Sequence, residues 1–383
     1  MKKLRIGFVC YPTFGGSGVV ATELGKALAE KGHELHFITY SAPARMGSLK
    51  QNLFYHEVHM TDYPLFDFQP YELVLASKMV EVAKAHQLDL LHVHYAIPHA
   101  SAAIIARNIL SDEGIDLPVV TTLHGTDITL LGKDPAFKPV IAYAINKSNA
   151  VTAVSHSLKR DTESLFGVKK PIHVVHNFIC PSHFERPIDE QFRAAVAPND
   201  EKIVTHISNF RPVKRVDDVL KIFARILNRI PAKLLLVGDG PERSRIEKFA
   251  EELGIRSHVI SIGKIKNPVE PLLVSDLFLL PSETESFGLA ALEAMAAEVP
   301  VIASNAGGLP EVIEHGKSGY LAPVGDVEAM ANFALEILGS SDSHQKFKKA
   351  ARERAWDFHL SGIVPQYEAI YDGLISQNDT TPK

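Results

Sequence analysis

Short apolar, β-branched runs alternate with helical patterns along the whole chain. Ile6–Val9, Glu34–Thr39, Leu88–Val93, Val119–Leu123, Val151–Val154 and His173–Val175 read as strands. Ser17–Lys31 and Leu73–Ala85 read as helices between them. In the first of these, Val20, Leu24, Ala27 and Leu28 form one apolar stripe that Gly32 ends. From about Phe178 to Asp200 the pattern weakens around Cys180-Pro181, Arg186-Pro187 and Ala197-Pro198-Asn199-Asp200, which predicts a linker. The alternation then restarts with Lys202–Ser208, Lys233–Gly238, His258–Ile262, Leu277–Leu280 and Val299–Ala303 as strands, and with helices that include Val216–Asn228 and Arg243–Leu253. Strand–helix alternation of this kind predicts parallel sheets with helices on both faces. The expected fold is α/β: two doubly wound, Rossmann-like domains, 1–178 and 179–361, facing across a cleft. A C-terminal helix at 362–376 is expected to pack back on the first domain, and the polar tail after Ser376 to fray.

Composition narrows the function classes. The 383 residues are 46% hydrophobic and 22% charged, as two full-sized cores require, and the net charge is -5. That balance gives no broad basic face for nucleic acid. The two cysteines, Cys10 and Cys180, are too few for a disulfide framework or a four-cysteine zinc site. No stretch approaches about 20 uninterrupted apolar residues, so no membrane span is expected. The basic, then apolar N-terminus reads as a buried first strand, not a signal peptide core, and predicts a cytoplasmic protein.

In doubly wound sheets, ligands bind beyond the carboxyl ends of the strands, so the post-strand loops carry the candidate chemistry. After Leu277–Leu280 comes Pro281-Ser282-Glu283-Thr284-Glu285-Ser286-Phe287-Gly288-Leu289, which opens a helix containing Glu293. Unpaired N–H groups near Phe287–Leu289 suit a phosphate. Glu285 and Glu293 are good acceptors for pairs of hydroxyl donors. An acidic helix start that only complements the dipole accounts for this stretch equally well. After Lys202–Ile207, the loop Ser208-Asn209-Phe210-Arg211-Pro212-Val213-Lys214-Arg215 concentrates three cations, as a diphosphate leaving group requires. A solvated basic turn is the plainer reading of that loop alone.

Gly15-Gly16-Ser17-Gly18 precedes the first helix. Gly16, Gly18 and Ala21 fit G-x-G-x-x-A, but the acid expected about 20 residues on is missing at Thr39-Tyr40-Ser41. A nicotinamide-dependent oxidoreductase is therefore the runner-up. His124 follows Val119–Leu123 directly. His92-Val93-His94-Tyr95 ends another strand, and a two-histidine metal site there lacks an evident third ligand. The sequence has no D-x-D triplet, so no metal is expected.

Taken together these motifs resemble the retaining glycosyltransferases of family 4, which have the GT-B fold. Glu285 and Glu293 match that family's E-x7-E motif with Ser286-Phe287-Gly288 inside it. Val237-Gly238-Asp239-Gly240-Pro241 matches V-G-x-G-P. Ile302–Glu311 resembles the segment with paired glycines and P-E, and His176-Asn177 the usual N-G turn. Cys10–Glu34 and His92–Ala100 resemble the branch that joins N-acetylglucosamine from UDP-N-acetylglucosamine to the hydroxyl of L-malate in bacillithiol biosynthesis. The resemblance implies that Glu285 holds donor-sugar hydroxyls, Glu293 the ribose, and Lys214 and Arg211 the diphosphate. Gly16 would abut that diphosphate and His124 the transferred sugar. Ser17, Asn209, Gly238, Gly263, Ser286, Phe287, Gly288 and Leu289 would complete the nucleotide-sugar site. Many family members have G-R where this chain has Ser208-Asn209, so Lys214 is the firmer assignment and Arg211 is displaced from the usual position. Tyr95, Thr126 and Lys138 are candidates for binding the acceptor. No cofactor is implied, and a homodimer is a fair expectation. Alternatives are another small acceptor such as an inositol phosphate, a UDP-sugar epimerase, and a non-enzymatic two-domain solute binder.

Overall fold

A computed structural model describes residues 2–13, 15–47, 51–60 and 69–379. The chain divides into two compact units, Met1–Asn177 with Leu360–Lys383, and Phe178–His359.

The first unit holds β1 (Arg5–Val9), β2 (Glu34–Thr39), β3 (Leu53–Glu57), β4 (Leu90–His94), β5 (Val119–Leu123), β6 (Ala150–Ala153) and β7 (Ile172–Val174). They form one sheet in the order β3-β2-β1-β4-β5-β6-β7. Every pairing is parallel, with Ile6 beside both Leu35 and Leu90. All residues of β4, β5 and β6 are buried, as strands covered by helices on both faces must be. Leu75, Met79 and Val82 of the helix Tyr71–His86 pack with Ala102, Ala106 and Leu110 of the helix Ser101–Asp112 over Val9, Ile38, Leu91 and Val93.

The second unit holds β8 (Lys202–Ile207), β9 (Ala232–Val237), β10 (Val259–Gly263), β11 (Leu277–Leu280), β12 (Val301–Ser304) and β13 (Gly319–Ala322). Their order is β10-β9-β8-β11-β12-β13, again all parallel. The helix Val216–Leu227 buries Val219, Leu220, Ile222, Phe223 and Ile226 against Leu234, Leu236 and Leu279.

Two elements depart from the sequence reading. Phe178–Asp200 is not a linker but part of the second unit. It contains a 3₁₀ turn, Pro181–His183, and a helix, Glu190–Val196, whose Asp189 Oδ1 accepts from Phe192 N at 3.0 Å. Val196 and Ala197 then close a core with Ile203, Leu235 and Val237. The C-terminal helix spans Leu360–Asp379, three residues beyond where fraying was expected to begin; the rest of that tail lies outside the described residues. It is held in the first unit by buried Tyr367 and Tyr371, and by Glu368, which accepts from Lys31 Nζ at 2.5 Å and faces His33 Nε2 at 3.3 Å. Among the described residues, no helix is long and apolar enough to cross a membrane.

Candidate active site

In each unit the strand order reverses direction at one point, between β1 and β4 in the first and between β8 and β11 in the second. Crevices outside the carboxyl ends of such strands are where open α/β sheets take ligands. Most candidate residues of each unit lie in loops after strands, while Glu293 and Lys138 lie in helices.

In the second unit, the loop after β8 and the loop after β11 meet. Lys214 Nζ donates to Glu285 Oε1 at 2.6 Å, and Ser282 Oγ donates to the same oxygen at 2.8 Å. Glu283 N donates to Val213 O at 2.8 Å, which ties the two loops by their main chains. Lys214 and Glu285 keep 21% and 13% of their side chains exposed, so a ligand can still reach them. Arg211 and Asn209 are exposed beside them, and the Ser208-Asn209 turn that replaces the family's G-R sits at this point. The third cation of the loop is engaged elsewhere: Arg215 pairs with Asp218 at 2.6 Å. Beneath the loop, burial pushes His206 down to about 4, and its ring bridges Leu279 O and Ser208 Oγ, both at 2.8 Å.

Glycine at three positions allows the close approach of these loops. A Cβ at Gly238, where φ is +120°, would lie 1.8 Å from Ser208 O. One at Gly240 would lie 1.9 Å from Asn209 O, and one at Gly307, where φ is +58°, would lie 2.0 Å from Glu285 O. No side chain fits at such distances. Gly263 ends β10, and its carbonyl accepts from Gly238 N at 2.8 Å.

The helix Leu289–Ala296 starts from Gly288 in the left-handed conformation, with no acidic residue in its first turn. Ser286 precedes this start and Glu293 follows it by about 6 Å of helix. Both are partly exposed. Phe287 was grouped with the nucleotide-sugar residues on sequence. The residue is 2% exposed and its ring stands edge-on to Phe358 at 5.6 Å, so only its main chain is placed to meet a ligand.

In the first unit, the helix Gly16–Glu30 begins just after the loop following β1, with exposed Gly15 as N-cap and no acid in its first turn. A Cβ at Gly18 would meet Tyr11 O and Thr13 O at 2.5 Å, so this loop too needs glycine. Tyr95, immediately after β4, has φ +81°, a strained conformation for an aromatic residue. It turns its hydroxyl onto Ser17 Oγ at 2.6 Å. Burial raises that hydroxyl's pKa well above the usual tyrosine range, so it stays a donor.

His124 follows β5. Its Nε2 bonds His94 Nδ1 at 2.8 Å, with the two rings stacked. His94 and His124 are thus one pair, while His92 is bonded to Thr122 Oγ1 and to Tyr371 Oη, both at 2.7 Å. The suggested two-histidine metal site at 92 and 94 is a hydrogen-bonded core instead. Burial drives His92 and His124 down to about 3 and His94 well below the ordinary histidine value, so all three rings are neutral near pH 7.

Asp127, which the sequence reading did not single out, organises these loops. Its carboxylate accepts from Ala96 N at 2.7 Å and Gly125 N at 3.2 Å, joining the turns after β4 and β5. Burial raises it to about 6 despite those bonds. Thr126 is exposed at the start of the turn Thr126–Leu130. Lys138 is exposed as the first residue of the helix Lys138–Lys147, which packs beside the Ala96–Ala100 turn. Among the described residues, no bond joins Lys138 to Tyr95 or Thr126.

This chemistry sets an expected pH response. Below about pH 6.5 the unfolded chain takes up protons at His92, His94, His124 and His206 that the folded protein refuses. Their contribution is complete above 6.5 and is lost as pH falls toward their depressed values, about 3 for His92 and His124, about 4 for His206 and well below the ordinary value for His94. Each group contributes roughly 1.4 kcal/mol per pH unit in that window. Asp127 acts in the opposite sense: its contribution is present below its ordinary value and is lost as pH rises through about 6. Four histidines outweigh one aspartate, so urea midpoints should drop steadily from pH 7 to pH 5. A flat profile would mean that these rings titrate in the folded state.

Two family models cover most of the chain: glycosyltransferase family 4 over residues 14–183 and glycosyl transferases group 1 over residues 187–354. With two doubly wound parallel sheets, the chain belongs to the glycosyltransferases of GT-B fold. It is 49% identical over 371 residues to the N-acetyl-alpha-D-glucosaminyl L-malate synthase of Bacillus anthracis, covering 96% of this chain and 97% of that protein. A D-inositol 3-phosphate glycosyltransferase of Jonesia denitrificans is 24% identical over 392 residues, 94% of this chain and 91% of the other. Anabaena Alr3699/HepE in complex with UDP-glucose superimposes with a TM-score of 0.82 at 21% identity, covering 97% of this chain and all of that one. WaaG, a glycosyltransferase involved in lipopolysaccharide biosynthesis, gives 0.74 at 17% identity, covering 96% of this chain and all of that one.

Proposed function

We propose that this glycosyltransferase moves N-acetylglucosamine from UDP-N-acetylglucosamine to the hydroxyl of L-malate, with retention at the anomeric carbon, as the first step of bacillithiol biosynthesis in the cytoplasm. The observation that carries the donor half is the Lys214–Glu285 pair, held at 2.6 Å beside a helix start free of acidic residues. The acceptor half rests on the 49% identity to the L-malate synthase.

The paired groups have complementary tasks. An arriving diphosphate draws Lys214 Nζ and the exposed Arg211 to its oxygens and adds main-chain N–H groups from the helix start. Glu285, released from Lys214, accepts from hydroxyls of the transferred sugar, and Glu293 accepts from the ribose. As the anomeric C–O bond breaks, negative charge grows on the diphosphate, where fixed cations stabilise it. The malate hydroxyl attacks from the same face, and its proton passes to the departing phosphate oxygen. Neutral His124, held by His94, contributes a hydrogen bond beside the sugar. The family resemblance assigns Ser17 and Gly16 to the phosphates, and we assign Tyr95 and Thr126 to the malate. Because lysine and arginine supply the counter-charge, turnover should need no divalent metal.

The test is mass spectrometry of products after incubation with UDP-N-acetylglucosamine and a panel of hydroxy acids and inositol phosphates, with and without a chelator. An N-acetylglucosaminyl malate of α configuration, formed equally in both arms, is expected. An inositol phosphate product alone would replace the acceptor, and turnover abolished by chelation in protein that stays folded would overturn the metal-free reading.

A further inference from the structure

We propose that His36, His56 and His86 form a binding site for a divalent first-row metal ion, best suited to Zn²⁺, away from the strand ends that carry the transferase residues. His36 is the third residue of β2, and His56 lies on the edge strand β3. His86 is the last residue of the helix Tyr71–His86, whose chain then turns back into the start of β4. His36 lies in the first half of β2 and His86 just before the start of β4, whereas Ser17, Tyr95 and His124 all follow strand carboxyl ends.

One ligand nitrogen from each ring lies within 4.8 Å of the other two. Zn–N bonds of about 2.0–2.1 Å in a tetrahedron place ligand nitrogens about 3.3 Å apart. The His36 Nδ1 to His56 Nε2 separation is 2.9 Å, and the His86 ring centre is 4.4 Å from that of His36 and 4.9 Å from that of His56. Small side-chain shifts bring all three onto one ion.

The ring behind the site is already set for this. His36 Nε2 bonds Glu34 Oε1 at 2.8 Å, which fixes the proton on Nε2 and directs the Nδ1 lone pair at the site. Phe54 stacks on the same ring at 4.8 Å and 13°, holding its plane. A bond between His36 and His56 explains two of the rings but not the arrival of the third.

When the metal enters, the proton that His56 Nε2 shares with His36 Nδ1 moves to His56 Nδ1 through solvent, so the ring changes tautomer and stays neutral. Three imidazoles leave a fourth position for water. His56 and His86 are half-buried, which gives the ion access. The bound ion ties the edge strand to its neighbour and to the helix end, so it acts as a structural clip on the first unit.

The experiment uses the full chain, stripped with a chelator and dialysed, with Zn²⁺ alone titrated against a chromophoric competitor. One equivalent should bind per chain, and the midpoint of thermal unfolding should rise with it. His56→Asn and His86→Asn should each weaken binding by at least about 100-fold and remove the thermal shift, and Glu34→Gln should weaken it by about 10–100-fold. Circular dichroism of the stripped variants checks that they fold. His86→Asn, at a half-buried helix end, keeps the test open if His56→Asn fails to fold. Absence of stoichiometric Zn²⁺ binding by the unaltered chain, or binding retained in a folded His86→Asn variant, would overturn the proposal.

Discussion

Replacing Lys214 with alanine is expected to lower kcat by about 10²–10³-fold while the protein stays folded. In the proposed mechanism the lost ammonium faces the growing charge, and removing one such preorganised donor costs about 3–4 kcal/mol at the transition state. The core of the second unit does not include Lys214, and 21% of its side chain is exposed, so the fold does not depend on it. Glu285 retains Ser282 Oγ at 2.8 Å as a donor to the same oxygen. The loss should fall mainly on kcat, because the charge develops only as the bond breaks. Lys214→Arg, which keeps the charge but changes its shape, should recover part of the rate. Steady-state kinetics on both variants decides the matter; unchanged kcat in Lys214→Ala would remove the diphosphate clamp.

Gly307→Ala should be damaging in a different way, through the backbone. The new methyl would lie 2.0 Å from the carbonyl oxygen of Glu285 at a residue with φ +58°. Neither the left-handed conformation nor the contact can be relieved by a rotamer change, because the obstacle is main chain. Gly308 N donates to that same Glu285 oxygen at 2.8 Å, so the displacement reaches the carboxylate through its own backbone. A stability loss of about 1–3 kcal/mol and a fall in activity of about 10²-fold are expected, since misplacing a positioned group by about 1 Å costs that much. Gly362→Ala, whose added methyl meets nothing within 4 Å, is the control. Wild-type activity and melting temperature in Gly307→Ala would show that the Glu285 loop is not held as described.

Much of the architecture is legible locally, and the exceptions are instructive. β2, β5 and β11 were read to the residue, because apolar β-branched runs bounded by turns are a local signal. β3 escaped because Leu53-Phe54-Tyr55-His56-Glu57 is an edge strand whose exposed positions dilute the pattern. β13 is likewise an edge strand, and it opens on a glycine and carries one partly exposed position, so it lacks the continuous apolar run of the equally short β11. The stretch Phe178–Asp200 looks like a linker because its prolines punctuate it, yet Val196 and Ala197 find a core that only the folded unit supplies.

By itself the sequence determined that there would be two doubly wound halves, and it put the candidate glutamates, lysine and glycines in or just after post-strand loops. Strand and helix periods, post-strand position and the family motifs are all properties of neighbouring residues. Only the tertiary structure decided that Lys214 grips Glu285 across 71 residues, that Arg215 is taken by Asp218, and that His124 leans on His94 across 30. It alone placed Asp127 as the clamp between two loops and drew His36, His56 and His86 together. Those pairings follow from strand order and register, which arise when distant segments compete to bury their apolar faces, and no local pattern of residues encodes the outcome.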